Sequence, residues 1–190
     1  VKKEEPEFTS VDLASLIPDV VLLLHSDAIL QNVRIALELD DDLPPLRGDK
    51  VQLQQVMLNL MLNAFEAMKD CAAAEREVKL RVARENTDSI QVAVSDRGTG
   101  FNRDKLDKIF QPFYTTKREG LGMGLSICRF IIQAHGGRLW AENNRDHGAT
   151  FYFTVPIAEE AAQEKPAIEP REFARVARLS LASNRAKKGH

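Results

Sequence analysis

Five amide and carboxylate side chains recur at steps of three and four residues within one apolar stretch. They are Gln52, Gln55, Asn59, Asn63 and Glu66. On a helix this spacing aligns them in a single stripe. Such groups need polar partners when buried, because an unpaired one costs on the order of a few kcal/mol. The stripe is therefore either a polar core layer that fixes register, the more common reason for a buried asparagine, or one wall of a ligand site.

Two glycine-rich motifs follow along the chain. Asp96-Arg-Gly-Thr-Gly100 comes directly after a predicted strand, so its carboxylate could accept a hydrogen bond from an amine while its glycines let backbone approach a flat ligand. Gly120-Leu-Gly-Met-Gly-Leu125 leads into a predicted helix, whose first N–H groups and dipole favour an anion. It has neither the spacing of a dinucleotide-binding fingerprint nor the lysine of a P-loop. Each motif alone is also compatible with an ordinary turn.

In combination and in this order, the motifs resemble those of the catalytic, ATP-binding domain of sensor histidine kinases, which belongs with gyrase, Hsp90 and MutL in one ATPase superfamily. The resemblance extends from about Phe8 to Pro156. The residues around Asn63 and Gly124 are typical of the nitrogen-regulation and oxygen-sensing branch of this family. The matching motifs are Asn59-Leu-Met-Leu-Asn63-Ala (N box), Asp96-x-Gly98-x-Gly100 (first glycine box), Ile109-Phe-Gln-Pro-Phe-Tyr-Thr-Thr-Lys117 (F box), Gly120-x-Gly122-x-Gly124-Leu125 (second glycine box), Ala134-His-Gly-Gly137 and Gly148-Ala-Thr150.

The resemblance implies a role for each motif. Asn63 would bind Mg²⁺, which is shared with phosphates and waters, and Asp96 would accept from the 6-amino group of adenine. The glycines of the second box would hold phosphates. Lys117 would neutralise the terminal phosphate, although a solvated lysine is an alternative. Glu66 stands where some kinases carry a lysine, so that lysine's phosphate contact is lost or supplied elsewhere.

The candidate site residues are then as follows. The catalytic residues are Asn59, Asn63 and Lys117, and the metal ligand is Asn63. The ATP-binding residues are Asn63, Glu66, Ala67, Asp96, Gly98, Gly100, Ile109, Phe110, Thr116, Lys117, Gly120, Leu121, Gly122, Met123, Gly124, Leu125 and Thr150. Phe110 and Phe113 would anchor an ATP lid at about 101–121 by packing on the domain, and the lid would be mobile without nucleotide. His135, before a Gly-Gly helix end, is interpreted as structural.

The four histidines bear on the phosphate acceptor. Family members carry a histidine followed by an acid and soon a proline, on a dimerisation segment before this domain. His25, His135, His147 and His190 do not fit that pattern. We therefore interpret the chain as the catalytic part alone, acting on a histidine of a separate dimerisation domain and passing the signal to a response regulator.

Residue 59 separates this hypothesis from its alternatives, an ATP-hydrolysing clamp of the gyrase or MutL type and a serine kinase of the anti-sigma class. Those enzymes resemble this chain but use a glutamate as base one turn before the Mg²⁺ asparagine. Asn59 cannot accept a proton at neutral pH. A nucleotide-sensing module without catalysis is a further alternative, which the complete motif set disfavours.

Periodicity predicts the elements that position these residues. Helical and alternating patterns mix without strict βα repetition, which favours an α+β two-layer sandwich; the resemblance implies the histidine kinase ATPase fold, a mixed sheet with helices on one face. The predicted strands are 8–11, 32–39, 78–83, 90–94, 138–142 and 149–155, and the predicted helices are 12–26 (with Leu23 among its inward residues), 51–68 after an Asp49 cap, and 123–134.

Composition sets the remaining expectations. The net charge of −2 argues against a nucleic-acid binder, and two cysteines are too few for a disulfide framework or a cysteine-rich metal site. The longest purely apolar run, residues 20–24, is far shorter than the roughly 20 residues that span a bilayer. We expect a cytoplasmic, monomeric domain without membrane contact, divided into a linker (1–7), an ATP-binding domain (8–157) and a charged tail (158–190) that is either solvated or a docking element.

Overall fold

The computed structural model describes residues 8–102, 104, 108–114 and 123–158. Its elements are β1 (Thr9–Val11), α1 (Leu13–Leu23), α2 (His25–Leu30), β2 (Arg34–Leu39), β3 (Leu46–Gly48), α3 (Lys50–Ala67), a 3₁₀ turn (Ala73–Glu75), β4 (Glu77–Arg84), β5 (Ser89–Ser95), α4 (Gly124–Ala134), β6 (Leu139–Asn143) and β7 (Ala149–Pro156).

Five strands form one mixed sheet in the order β2-β4-β5-β7-β6. Strand β2 is parallel to β4, and the other neighbours are antiparallel. Helix α3 packs against β4 and β5, while α4 packs against β6 and β7 and against α3. The inward side chains of the sheet, such as Val92 and Phe153, are fully buried beneath the helices. The predicted α+β sandwich with helices on one face is confirmed.

Local signals explain the two capped helices. Asp49 Oδ1 accepts hydrogen bonds from the backbone N–H groups of Val51 and Gln52, and Asp12 caps α1 through Ala14 N. A side-chain cap of this kind stabilises a helix by roughly 1 kcal/mol. Both caps are where the sequence predicted helix starts.

Three details differ from the sequence expectations. Strand β3, which pairs with β1, was not predicted, because three residues are too few to show an alternation. The first helix is broken at Leu24 into α1 and α2. Leu23 was predicted to face inward but is 57% exposed, because the packed face of α1 consists of Leu13, Leu16, Ile17 and Val20.

The helical stretch Leu13–Leu30 is long and apolar enough to cross a membrane when judged by length and composition alone. This stretch was not predicted as a candidate, because the expectation considered only uninterrupted apolar runs. Leu16, Ile17 and Val20 on this stretch are completely buried within the domain, as in the core helix of a folded domain.

His135 connects the end of α4 to the start of α3. Its Nδ1–H donates to Ile131 O at 2.8 Å, and its Nε2 accepts from Asp49 N at 3.0 Å. The ring is 4% exposed and packs against Phe8. Both nitrogens are thus occupied by backbone groups, which supports the structural interpretation of this histidine.

Candidate functional site

The polar stripe of α3 lies along the flank of the helix and not within the core. Gln52, Asn59, Asn63 and Glu66 are half-buried and Gln55 is exposed, so the alternative of a polar core layer is wrong. The side chain of Asn59 hydrogen-bonds the thiol of Cys128 on α4. Burial raises the pKa of that thiol to about 11, and the hydrogen bond from Asn59 acts in the opposite direction. This hydrogen bond places Asn59, in the middle of the stripe, next to α4.

The far end of α3 meets the first glycine box. A Cβ placed on Gly98 would lie 2.4 Å from the carbonyl oxygen of Ala67, a distance that no side chain tolerates. Arg97 N also donates to Met68 Sδ at 3.5 Å. Gly98 is therefore required by the packing of the loop against α3, and this contact brings Ala67 next to the loop that carries Asp96.

Asp96 directly follows the end of β5 and is held by backbone groups from two directions. Its Oδ1 accepts from Gly98 N at 2.8 Å and from Ala149 N at 3.2 Å. The residue is 3% exposed, and burial raises the pKa of its carboxyl while the two N–H donors act against that rise. Both of these donors bond Oδ1 and not Oδ2.

Gly148 makes this arrangement of Asp96 possible. It adopts a φ of 84°, which L side chains rarely adopt, and a Cβ there would lie 2.1 Å from the backbone oxygen of Asp96. Gly148 belongs to the motif Gly148-Ala-Thr150, for which the resemblance implied no separate role of the glycine. Its role is to let β7 begin directly beside Asp96.

Thr150, a predicted ATP-binding residue, lies on the other face of the sheet. Its Oγ1 is 2.6 Å from Asn144 Oδ1 and 2.9 Å from Ser95 Oγ. Residues alternate across a strand, and the neighbours Phe151 and Phe153 occupy the helix-covered face. The Thr150 hydroxyl therefore lies on the face opposite to α3 and α4, and its assignment to the ATP-binding residues stays a prediction.

A cavity of 450 Å³ also opens on that outer face. Lys79, Ser95 and Arg97 are among its lining residues, and Lys79 and Ser95 alternate with the buried side chains of β4 and β5. Asp96 also lines this cavity, whereas no residue of the α3 stripe does, so the cavity does not coincide with the stripe.

The described part of the predicted lid is anchored by aromatic contacts. Phe101 and Phe110 both approach Phe151 edge-on, with ring centroids 6.1 and 6.3 Å away, and Phe110 is 9% exposed, as predicted. Phe113 was expected to pack as well, but it is 77% exposed with a φ of 65°. Ile109 is half-buried against the core.

The start of α4 carries the end of the second glycine box. Met123 and Gly124 precede and begin the helix, and Leu125 packs partly on the core. A Cβ on Gly124 would meet no described atom within 4 Å. The predicted residues Thr116, Lys117, Gly120, Leu121 and Gly122 lie outside the described part of the chain.

Two asparagines that belong to none of the sequence motifs contribute to this site. Asn143 bonds the backbone of Phe101, and Asn144 bonds the backbone oxygen of Asp96. No local pattern distinguishes such residues from ordinary turn asparagines.

Comparison with known proteins agrees with this geometry. Residues 48–159 match the family described as histidine kinase-, DNA gyrase B-, and HSP90-like ATPase. The sensor protein FixL of Bradyrhizobium diazoefficiens is 44% identical over 84% of this chain and 31% of its own length. The sensor histidine kinase TmoS of Ectopseudomonas mendocina is 36% identical over 83% of this chain and 16% of its own length. The chain thus spans less than a third of these relatives.

Solved structures show the same likeness. The nucleotide-free catalytic domain of the histidine kinase ThkA superposes with a TM-score of 0.71 at 35% identity, covering 82% of this chain and 99% of that one. ThkA in complex with the response regulator protein TrrA gives a TM-score of 0.69 at 32% identity, covering 84% of this chain and 44% of that one.

Proposed function

The chain belongs to the family of histidine kinase-, DNA gyrase B- and HSP90-like ATPases as the catalytic domain of a sensor histidine kinase, and from this premise we propose that it transfers the γ-phosphoryl group of Mg²⁺-bound ATP to a histidine on a separate dimerisation segment. Residues 8–157 would form the ATP-binding unit, with 1–7 as a linker and 158–190 as a charged tail.

The geometry of Asp96 is the observation that carries this proposal. Its Oδ1 is fixed by the N–H groups of Gly98 and Ala149, so Oδ2 has a defined position from which to accept a ligand N–H. The 6-amino group of adenine is such a donor, whereas guanine presents a carbonyl oxygen at that position. A carboxylate facing a carbonyl is repulsive, and selectivity for ATP over GTP follows.

The phosphates would lie between α3 and the start of α4. Asn63, half-buried on α3, offers an amide oxygen, a ligand type that Mg²⁺ accepts together with waters and phosphate oxygens. No group of three or more His, Cys, Asp or Glu side chains in the described ranges could hold a metal alone, so this donor set fits an ion held largely by the nucleotide. When bound, Mg²⁺ neutralises charge on the phosphates.

The residues of this chain would position the reaction and would not supply a base. Asn59 has no proton-accepting group at neutral pH, and its side chain already hydrogen-bonds the Cys128 thiol. A clamp ATPase or a serine kinase would need a carboxylate here to activate water or a hydroxyl. A histidine acceptor is itself a nucleophile, so transfer to histidine fits the side chains present.

The partners are proposals on the same basis. A response regulator is the partner of ThkA in its complex, and we extend that partner class to this chain. A histidine-bearing dimerisation domain would supply the acceptor. We propose that the isolated domain is a monomer and works in the cytoplasm, where ATP is available.

The test is a phosphorylation assay with labelled ATP, the chain, and a histidine-bearing helical segment from the same operon. We expect acid-labile, base-stable phosphate on the segment and none on the chain alone. Asp96→Ala should weaken ATP binding by roughly 10- to 150-fold, the value of one charge-assisted hydrogen bond. Phosphate release without transfer, phosphoserine formation, or equal binding of GTP would contradict the proposal.

A further inference from the structure

Asn143, the last residue of β6, bonds both polar groups of one peptide residue. Its Oδ1 accepts from Phe101 N at 2.9 Å, and its Nδ2 donates to Phe101 O at 2.6 Å. Paired bonds of this kind reproduce the exchange made between opposed residues of antiparallel strands. They fix both the position and the orientation of Phe101, where the loop of the first glycine box ends.

Gly100 permits this close contact. Its φ of 66° lies in the left-handed region, which glycine adopts without steric cost. A Cβ at this position would lie 2.7 Å from Asn143 Oδ1. The second glycine of the first box is thus required by Asn143, in addition to any approach of a ligand.

Asn144 holds the opposite end of the same loop. Its Nδ2 donates to the backbone oxygen of Asp96 at 2.9 Å and to His147 O at 3.1 Å. Its Oδ1 accepts from the Thr150 hydroxyl at 2.6 Å. The amide is therefore satisfied, and it restrains the backbone of Asp96 from the outer face of the sheet.

From these contacts we propose that Asn143 and Asn144, the asparagine pair, are positioning residues that hold Asp96 for recognition of the 6-amino group of a purine nucleotide. The inference rests on the proposed role of Asp96 in binding adenine. The pair fixes residues 96 and 101, so the four residues between them have both ends restrained. A hydrogen bond to a charged group depends steeply on distance and angle, and a loop restrained at both ends keeps Oδ2 at the required position.

The test compares two nucleotides that differ only at the recognised group, ATP and purine riboside triphosphate, which carries hydrogen in place of the 6-amino group. Calorimetry in Mg²⁺ buffer would measure both affinities for the wild type, Asn143→Ala and Asn144→Ala. We expect each variant to lose about tenfold in ATP affinity, part of the value of one charge-assisted hydrogen bond. Affinity for the analogue should change by less than about twofold, because the analogue lacks the 6-amino group that Asp96 is proposed to recognise.

Two further variants sharpen the comparison. Asn143→Asp keeps the acceptor for Phe101 N but loses the donor to Phe101 O, and we expect an intermediate loss of selectivity; it also serves if Asn143→Ala does not fold. Asn86→Ala is the matched control, because Asn86 makes side-chain hydrogen bonds of the same kind to Asp88 and Ser89 in the distant β4–β5 turn. The ratio of the two affinities should not change in this control.

Hydrogen exchange without nucleotide tests the restraint itself. The Phe101 amide should exchange faster in Asn143→Ala than in the wild type, since its hydrogen-bond acceptor is lost.

If the Asn143 and Asn144 variants fold and lose affinity for both nucleotides equally, or for neither, the positioning role is overturned and the pair is only structural. If Asp96→Ala leaves the ratio unchanged, the adenine role of Asp96 fails and this inference fails with it. If Asp96→Ala abolishes selectivity and the asparagine variants do not affect it, only this inference fails.

Discussion

The two glycine boxes look alike in sequence, but their described glycines have different surroundings in the structure. In the first box, a Cβ on Gly98 would overlap the carbonyl oxygen of Ala67, and one on Gly100 would overlap the side chain of Asn143. In the second box, a Cβ on Gly124, its described glycine, would meet no described atom within 4 Å. Gly98 and Gly100 thus allow protein to pack against protein, a role that no described contact gives to Gly124.

The two ends of the proposed site also differ in how they are held. Asp96, proposed to bind adenine, is held by Gly98, Ala149 and Asn144. At the start of α4, Met123 makes no side-chain cap bond among the described residues, so the first N–H groups of that helix lack the partner that such a cap would provide. Under the proposed function the base meets a carboxylate that is already in position, which lowers the entropic cost of binding the nucleotide.

The largest effect should come from Gly148→Ala, which forces a Cβ to within 2.1 Å of the Asp96 backbone oxygen at a φ of 84°. Steric overlap and left-handed strain each cost about 1–3 kcal/mol, so we expect the free energy of unfolding to fall by about 3–5 kcal/mol in urea denaturation. Gly136→Ala is the control, because Gly136 has a similar φ of 73° but a Cβ there would lie 3.6 Å from Pro156 Cγ. It should lose only the strain contribution, and equal losses in both variants would contradict the packing role of Gly148.

Gly98→Ala should be the next most disruptive change. A Cβ 2.4 Å from Ala67 O must push the loop away from the end of α3, and overpacking of this kind costs about 1–3 kcal/mol. ATP affinity should fall as well, because Asp96 moves with the loop. Denaturation and calorimetry on the same preparation would measure both quantities. Unchanged stability of the Gly98→Ala variant would remove the contrast between the two boxes.

Asp96→Asn should separate stability from binding. Burial raises the pKa of this carboxyl above its ordinary value, so the folded state binds more protons than the unfolded state between the two pKa values. The contribution of Asp96 to stability therefore falls as pH rises through that window and stays low at neutral pH. Asparagine can accept the same two N–H groups without a buried charge.

We therefore expect the Asp96→Asn variant to be at least as stable as the wild type at neutral pH. Its free energy of unfolding should not show the decrease that titration of Asp96 causes in the wild type as pH rises. Urea denaturation at a series of pH values, from below the ordinary pKa of an aspartate up to neutrality, measures it. ATP binding should weaken by roughly 10- to 150-fold, since an amide N–H₂ would face the adenine amine. A variant that is less stable at neutral pH but binds ATP normally would contradict the proposed role of Asp96 in binding adenine.

Gly124→Ala should have the smallest effect on stability, and in the opposite direction. Alanine is favoured over glycine in a helix by up to about 1 kcal/mol, and the added methyl meets no described neighbour. We expect a gain of about 0.5 kcal/mol together with weaker binding of ATP, because the methyl occupies space proposed for phosphate. Thermal unfolding and calorimetry would test this pair of changes. A loss of stability would show that Gly124 is packed like Gly98.

Much of the fold could be predicted because its signals are local. The alternation in β4 and β5 and the caps Asp12 and Asp49 lie within a few residues of the structure that they specify. The exposure of Leu23 and the pairing of β3 with β1 depend on distant packing, and short elements carry too few residues to show it. Thr150 is an intermediate case. Side chains alternate between the two faces of a strand, so the apolar residues Phe151 and Phe153 already indicated that the Thr150 side chain faces away from the helices.

The sequence by itself determined the family, the order of the motifs and the residue types proposed to bind a nucleotide, because these are properties of residue identity and spacing along one chain. Only the tertiary structure decided why Gly98, Gly100 and Gly148 must be glycine and that Asn143 and Asn144 support Asp96. Those facts depend on contacts between β5, β6, β7 and the end of α3, which lie tens of residues apart in the chain. Steric overlap and paired hydrogen bonds at such contacts are set by strand register and helix packing, and a linear pattern of residues does not specify them.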